Sequence, residues 1–288
     1  MLRVAFTVAF AISVYLEGAH SASANNGRAP VDLELVIAVD ASGSVSDNEF
    51  ALQIGGIAAA FREPDIHEAI ASGPQQRIAV ALMIWADARA RQAISPWIMI
   101  DGPDAAFAFA DLVEAQAERR QIFRGRSGTG IGAAIGQGVR ELRTNKFDGT
   151  RLAIDVSGDG RETPLMFGEG MALTEAHKRA ARLEVVVNGL AILSDDPNLN
   201  IYYRARVAMG PGSFVISAAD YDDFARAMRL KLVREIRQLI GKAPGPPLQR
   251  SRSTSNRFVR PVLRASHQSA KGATALMTSV QIGSPAPR

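Results

Sequence analysis

The 288-residue sequence contains no cysteine, and this absence excludes a disulfide framework, a zinc–thiolate site and a thiol nucleophile. Histidine is also scarce. Its four copies lie far apart, at His20, His67, His177 and His267, so the sequence offers no histidine cluster for a metal ion. The side chains that remain as candidate metal ligands are those that carry oxygen.

A long apolar run is likewise missing. Residues 1–24 hold Arg3, an apolar stretch from Val4 to Leu16 and small residues that end at Ala24. These are the three parts of a secretory signal peptide. A membrane anchor is the competing interpretation, but roughly 13 apolar residues fall short of the ~20 that a spanning helix needs. We therefore expect cleavage after Ala24 and a secreted or periplasmic protein without a transmembrane segment.

Acidic residues are absent from residues 241–288, which contain eight of the 33 Lys and Arg residues. The other 25 basic residues face 29 acidic ones in the first 240 positions, so the sequence pI of about 9.7 comes from the tail. A mildly acidic main domain argues against a nucleic-acid interface there. Rich in Ser, Arg and Pro, the tail is predicted to be disordered. Its charge would attract anionic surfaces, although a solvated tail is the simpler interpretation.

Between the N-terminal segment and the tail, apolar segments of strand length alternate with helical patterns. The predicted strands are 35–39, 77–85, 92–100, 151–157, 183–192 and 213–217, and the predicted helices are 47–62, 104–119, 130–142, 171–182, 199–207 and 221–240. Pro96 cannot donate to a strand ladder, which places the third strand at an edge. The pattern predicts one α/β domain at 31–240, after an extension at 25–30. Its architecture is a three-layer, doubly wound, mostly parallel six-stranded sheet with helices on both faces and one antiparallel edge strand.

The first strand ends in a group of oxygen-bearing side chains. Asp40 follows the apolar run directly, and Ser42 and Ser44 come next at steps of two. Ser46 and Glu49 form a capping-box pattern with Ser46 as the N-cap, so a helix should begin at Asp47. One carboxylate and two hydroxyls on a strand-to-helix loop suit Mg²⁺, Mn²⁺ or Ca²⁺ better than a soft metal.

The pattern Asp40-x-Ser42-x-Ser44 after an apolar strand resembles the metal-ion-dependent adhesion site (MIDAS) of the von Willebrand factor type A (vWA) domain. In that family a threonine and a second aspartate from two later loops complete the site. Thr129, in the SGTG segment at 127–130, and Asp159, in the SGDG segment at 157–160, match those positions in the same order. Ligands of doubly wound sheets bind beyond the carboxyl ends of the strands, where these loops are expected to lie.

The sequence is also similar to a bacterial family of secreted vWA-like proteins of unknown function. The similarity is carried by DVSGDG at 155–160, NGLAI at 188–192, and the segments YYR, GPGSFV and KLVREI. This likeness implies no known activity. The chain departs from the family pattern at Arg161, Glu162 and Thr163, where asparagines are expected, so the outer rim of the site is expected to differ in what it selects.

By this resemblance, hydroxyls of Ser42, Ser44 and Thr129 and the charges of Asp40 and Asp159 hold a divalent cation, with Mg²⁺ the first choice. A carboxylate from a partner protein takes the open position, which makes the domain a binding module. The alternative is a metal-dependent hydrolase that uses the same ion, with Asp155 or Glu162 as candidate base. We expect Asp155 to be a buried structural carboxylate and Glu162 a solvated loop residue. A metal-free scaffold is the third possibility.

Overall fold

The computed structural model describes residues 27–163 and 170–238, so the predicted signal peptide and the predicted tail lie outside the described residues. Seven strands form one sheet: β1 (Ala29–Asp40), β2 (Ile78–Trp85), β3 (Ala93–Ile94), β4 (Ile98–Ile100), β5 (Phe147–Gly158), β6 (Val186–Ile192) and β7 (Val215–Ala218). Their order is β3-β2-β1-β5-β6-β7, and β4 also pairs with β2. The pairs formed by β1, β2, β5, β6 and β7 are parallel.

Helices cover both faces of this sheet. They are α1 (Asp47–Arg62), α2 (Pro64–Ala71), α3 (Pro103–Glu114), α4 (Ile131–Thr144), α5 (Leu173–Arg182), α6 (Leu199–Tyr202) and α7 (Phe224–Arg237), with a 3-10 helix at Ala117–Phe123 and a π-helical turn at Tyr203–Val207. The apolar core on one face is shared with α1, α2, α3 and α7, and the core on the other with α4, α5 and α6. None of the helices in the described ranges has the length and apolar character required to cross a bilayer.

Strand β1 is the centre of the fold. From Val31 to Asp40 every residue is buried, because helices cover both faces of the sheet. Successive side chains alternate between the faces, so Leu35 and Ile37 join the core under α1 while Val36 and Ala38 join the core under α4. Two buried faces explain why this segment is continuously apolar in the sequence.

The pairing of β1 fixes the edge at which the candidate residues lie. Val39 is opposite Ser157 of β5, and Asp40 is opposite Trp85 of β2. All three strands run parallel, so their carboxyl ends lie side by side. The loops that follow β1 and β5 therefore start next to each other at one edge of the sheet.

The prediction of a doubly wound, mostly parallel sheet with an antiparallel edge is confirmed, but the strand count differs. The predicted third strand is two strands, β3 and β4, both antiparallel to β2, because Pro96 interrupts the segment. Pro64, predicted only to end a helix, also begins α2, since proline is well tolerated in a first turn. The predicted helix at 104–119 ends at Glu114 before the 3-10 helix, and the predicted helix at 199–207 divides into α6 and the π-helical turn.

Candidate metal centre

Four of the five predicted site residues form one chain of contacts at the carboxyl edge of the sheet. Asp40 Oδ1 accepts a hydrogen bond from the Ser42 backbone N–H at 2.7 Å. The hydroxyls of Ser42 and Ser44 are 3.2 Å apart, and the Ser44 hydroxyl donates to Asp159 Oδ1 at 3.0 Å. The loop after β1 is thereby joined to the loop after β5 through side-chain oxygens.

Thr129, the fifth residue, comes from the loop that leads into α4. Its backbone is fixed to Thr163, which accepts a hydrogen bond from the Thr129 N–H at 2.8 Å and donates its own N–H to the Thr129 carbonyl at 2.9 Å. A Cβ atom built on Gly160 would be 2.9 Å from Thr129 Oγ1, so the hydroxyl lies against the residue next to Asp159. The structure therefore links four of the five predicted residues by contacts and places the Thr129 hydroxyl beside the loop that carries Asp159.

The two carboxylates of the site are buried, with few hydrogen bonds and little positive charge to compensate them. Asp40 has no exposed surface, Asp159 is 4% exposed, and Asp40 Oδ2 has no hydrogen-bond partner among the described residues. Burial, and secondly the charge of Asp159, raises the pKa of Asp40 to about 8. Burial also raises the pKa of Asp159, against smaller opposing effects from the Ser44 and Tyr221 hydroxyls. The site is thus short of positive charge.

Arg120, on the 3-10 helix, supports the first loop from behind. Its side chain is buried and its Nη2 donates to the carbonyl of Val45, with the Ser42 carbonyl at 3.5 Å. The guanidinium lowers the pKa of Asp40, but less than burial and Asp159 raise it. Sequence reasoning missed this residue because an arginine just beyond the end of a predicted helix is ordinarily solvated.

Tyr203 lies beneath Asp40 and was also missed. The ring is fully buried, and the hydroxyl has no hydrogen-bond partner within the described part of the chain. A Cβ atom on Gly158 would lie 2.8 Å from both Asp40 Oδ2 and the Tyr203 hydroxyl oxygen, so the two oxygens border the same point and leave no room for a side chain at 158. Burial and the nearby carboxylates raise the pKa of Tyr203 well above its ordinary value. In the sequence, the segment YYR indicates only the similarity to the bacterial family. The π-helical turn that orients Tyr203 has no simple sequence signal.

Arg161 and Glu162, which follow Asp159 and Gly160, both form contacts with other parts of the fold. Glu162, predicted to be a solvated loop residue, is half-buried, and its Oε2 accepts a hydrogen bond from the Gly132 N–H at 3.0 Å. Its pKa is raised to about 7 by burial. The expectation was wrong because this side chain binds orphan N–H groups in the first turn of α4. Arg161 forms an ion pair of 2.7 Å with Asp196 at the rim.

Asp155 belongs to a buried polar network rather than to the site. On β5 it faces the ammonium group of Lys231 from α7, and both side chains are inaccessible to solvent apart from 2% of Asp155. One turn further along, Glu235 pairs with Arg151 at 2.5 Å and accepts from Asn188. Burial, and next the charge of Asp155, raises the pKa of Glu235 to about 7. As expected, Asp155 is a structural carboxylate, and this network attaches α7 to the sheet.

These residues suit a hard cation. No group of three or more His, Cys, Asp or Glu side chains suitable for a metal occurs within residues 27–163 and 170–238, so a metal here depends on hydroxyls as well as carboxylates. Two buried carboxylates and three hydroxyls are such a donor set, and they match the oxygen preference of Mg²⁺. The orphaned Asp40 Oδ2 and the raised pKa values of both aspartates are what a missing positive charge would leave.

A family model described as "Protein of unknown function (DUF1194)" matches residues 30–240, in agreement with the closer likeness noted in the sequence. A comparison with functionally curated proteins finds no match.

Solved structures similar to this chain include vWA-type domains. Pilus adhesin SpaC from Lactobacillus rhamnosus GG is 14% identical with a TM-score of 0.49, over 73% of this chain and 31% of that chain. The vWF domain of the pili tip protein Mfa5 from Porphyromonas gingivalis is 11% identical with a TM-score of 0.47, over 75% and 98%. Proximal thread matrix protein 1 from mussel byssus, with a zinc-occupied MIDAS motif, is 12% identical with a TM-score of 0.42, over 74% and 49%. The chain thus spans about a third of SpaC, and these similarities concern the fold alone.

Proposed function

We propose a function from the site itself, because this chain belongs to DUF1194, a family described as proteins of unknown function. The protein is a vWA-like binding module that engages a protein partner through one divalent cation. Asp40, Ser42, Ser44, Thr129 and Asp159 hold that cation. The N-terminal sequence pattern adds the proposal that the module works outside the cytoplasm, as a secreted or periplasmic protein.

One observation carries the proposal. Side-chain oxygens from three separate loops meet at the carboxyl edge of the sheet, and two of them belong to buried carboxylates. Burying like charges together is costly unless a cation compensates them. A fold with no use for a cation would gain stability by replacing either aspartate with a neutral residue.

The residues have separable roles. Asp40 and Asp159 supply negative charge, while the hydroxyls of Ser42, Ser44 and Thr129 supply neutral oxygens. Three loops at the carboxyl edge of the sheet carry these groups, and Gln53 anchors the end of β1 by donating to the Asp40 carbonyl at 3.0 Å. When bound, the cation offers a Lewis-acidic position to an outside ligand.

A carboxylate of the partner is the ligand that we propose for this position. The five side chains present fewer strong donors than a six-coordinate Mg²⁺ requires, so at least one position faces solvent. Mg²⁺ is proposed because all donors are hard oxygen atoms; Mn²⁺ and Ca²⁺ share this preference.

Isothermal titration calorimetry of the full chain with Mn²⁺ tests the metal site. Thr129→Val removes one ligand hydroxyl and preserves the shape of the side chain, and Thr144→Val, an exposed position on α4, is the matched control. We expect one ion per chain, with affinity weakened about tenfold or more by Thr129→Val and unchanged by Thr144→Val. The metal proposal is wrong if no ion binds or if both variants bind as the wild type does.

Capture of partners from an extracytoplasmic extract tests the binding role. A protein retained in Mg²⁺, released by EDTA and lost with Asp159→Asn supports it. Retention that survives both EDTA and the variant would mean that partners bind elsewhere, as on a metal-free scaffold.

A metal-dependent hydrolase is the alternative function. Glu162 is a titratable side chain on the loop after Asp159, and its raised pKa of about 7 is suitable for a general base. Its carboxylate is, however, engaged at the first turn of α4. Phosphoester and peptide substrates hydrolysed by the wild type, but not by Glu162→Gln or Asp159→Asn, would favour the enzyme over the binding module.

A further inference from the structure

A polar cleft lies at the edge of the sheet beside β3, and it shares no residue with the proposed metal site. Its volume is about 600 Å³, within the range of small-ligand sites. Three segments form it: β3 with the residues before it, the 3-10 helix and α4. The residues that line it are Arg91, Gln92, Ala93, Ile94, Arg119, Gln137, Arg140 and Glu141.

Positive charge in this cleft exceeds negative charge. Three arginines share it with one carboxylate, Glu141, which accepts a hydrogen bond from Gln137 at 2.8 Å. Arg119 makes a long 3.4 Å bond to the Ile94 carbonyl. No ion pair involves Arg91 or Arg140 among the residues that the structure describes.

Two arginines near the proposed metal site, unlike those of the cleft, form ion pairs with carboxylates of the chain. Arg124 pairs with Asp47 at 2.6 Å and Arg161 pairs with Asp196 at 2.7 Å, so their charge is compensated within the chain. In the cleft, three like charges from three segments share a common space with a single carboxylate, Glu141. A bound anion would remove this repulsion.

We propose that this cleft is a binding site for a small phosphate-containing polyanion, of the size of pyrophosphate or triphosphate. Guanidinium groups form bidentate, charge-assisted hydrogen bonds with phosphate oxygens. Arg91, Arg119 and Arg140 approach from three different segments, and a tetrahedral phosphoryl group presents oxygens in several directions whereas a planar carboxylate presents two. The amides of Gln92 and Gln137 add neutral donors. A single phosphate would leave much of the volume empty.

Calorimetry with inorganic pyrophosphate tests the site on the full-length Asp40→Asn chain in EDTA. Removing the metal and one proposed ligand ensures that pyrophosphate is not captured by a cation at the other site. We expect one pyrophosphate per chain, with affinity falling steeply as salt is raised. Citrate, a polycarboxylate of similar charge, should bind at least about tenfold more weakly, a difference of about 1.4 kcal/mol.

Single substitutions connect the binding to the cleft. Arg119→Gln and Arg140→Gln should each weaken pyrophosphate binding about tenfold or more, whereas Arg143→Gln, an exposed arginine one turn further along α4, should leave it within about twofold. Circular dichroism melting curves identify any variant that fails to fold. Because Arg140 is exposed, its replacement should preserve the fold even if that of Arg119 does not.

Three outcomes would overturn the proposal. In the first, pyrophosphate does not bind, and in the second, citrate binds as tightly as pyrophosphate does. In the third, pyrophosphate binds both cleft variants as it binds the parent chain, so that the binding belongs to another basic segment. All of these leave the proposed metal site untouched, because the experiments are performed without a metal.

Discussion

Replacing Asp40 with asparagine should stabilise the protein when metal is removed and destabilise it, relative to wild type, when metal is present. Asp40 is fully buried, its Oδ2 has no partner among the described residues, and its pKa is raised to about 8. An ordinary aspartate has a pKa near 3.9 and each pKa unit corresponds to about 1.36 kcal/mol. At pH 7 the buried carboxyl group therefore costs the metal-free fold at most about 4 kcal/mol.

Asparagine removes this cost and introduces a smaller one. Its carbonyl oxygen can still accept the Ser42 N–H, but its amide N–H₂ replaces the orphaned Oδ2 and costs about 1–3 kcal/mol if unpaired. The Tyr203 hydroxyl, which borders the same point, is an acceptor for that amide. The net gain in EDTA should be about 2 kcal/mol, or roughly 4–8 °C in Tm for a domain of this size.

In the presence of metal, the wild type should be more stable than Asp40→Asn. At 100 times its Kd, Mg²⁺ adds ~2.7 kcal/mol to the free energy of unfolding of the wild type. Asp40→Asn should gain little, because one of the two charges is lost. Melting curves at pH 7 in EDTA and in Mg²⁺ measure both effects. Asp148→Asn, an exposed position at the opposite end of β5, should change neither. A variant that is less stable than wild type in EDTA, or that responds to Mg²⁺ as wild type does, would refute this reasoning.

Three further predictions follow from the buried groups. Tyr203→Phe removes a hydroxyl that has no hydrogen-bond partner among the described residues, so the stability in EDTA should be unchanged or higher and the Mn²⁺ affinity measured by calorimetry should stay within about twofold; a severalfold loss of affinity would show that this hydroxyl orients Asp40. Gly158→Ala should lower Tm by several degrees, because its Cβ would meet oxygens at 2.8 Å, and a variant as stable as wild type would contradict that geometry. Glu235 holds its proton more tightly in the fold than when unfolded, so its contribution to stability is present below about pH 4.5 and is lost as pH rises towards 7. Urea titrations from pH 5 to 7 should therefore show a smaller decline for Glu235→Gln than for wild type, by on the order of 1–3 kcal/mol, and parallel curves would show that Glu235 does not titrate there.

Much of the fold could be predicted from the sequence, because buried parallel strands are short continuous apolar runs. The segments around Val36 and Ile154 show this pattern clearly, and each is a central strand covered on both faces. The edge of the sheet was harder to predict. Pro96 identified an edge strand, but whether the chain bends into two short strands there depends on pairing with β2, which is a long-range contact.

Some residues of the candidate site could likewise be predicted from the sequence, and others could not. Asp40, Ser42 and Ser44 were predicted because they form a short motif at the end of a strand, and the resemblance to the vWA domain then indicated Thr129 and Asp159. Tyr203 and Arg120 support those residues from elements far along the chain, and nothing in the neighbouring sequence distinguishes them from ordinary core or surface residues. Glu162 was misjudged because its partner, the first turn of α4, is 30 residues away in sequence.

Diffraction from Mn²⁺-soaked crystals, recorded at the manganese absorption edge, tests the central claim most directly. We predict one strong anomalous peak beside the Ser44 hydroxyl and the Asp159 carboxylate, within about 2–2.6 Å of its protein oxygen ligands. A map with no peak there, or with its only strong peak at a different set of residues, would contradict the assignment of this edge of the sheet as a metal-dependent binding site.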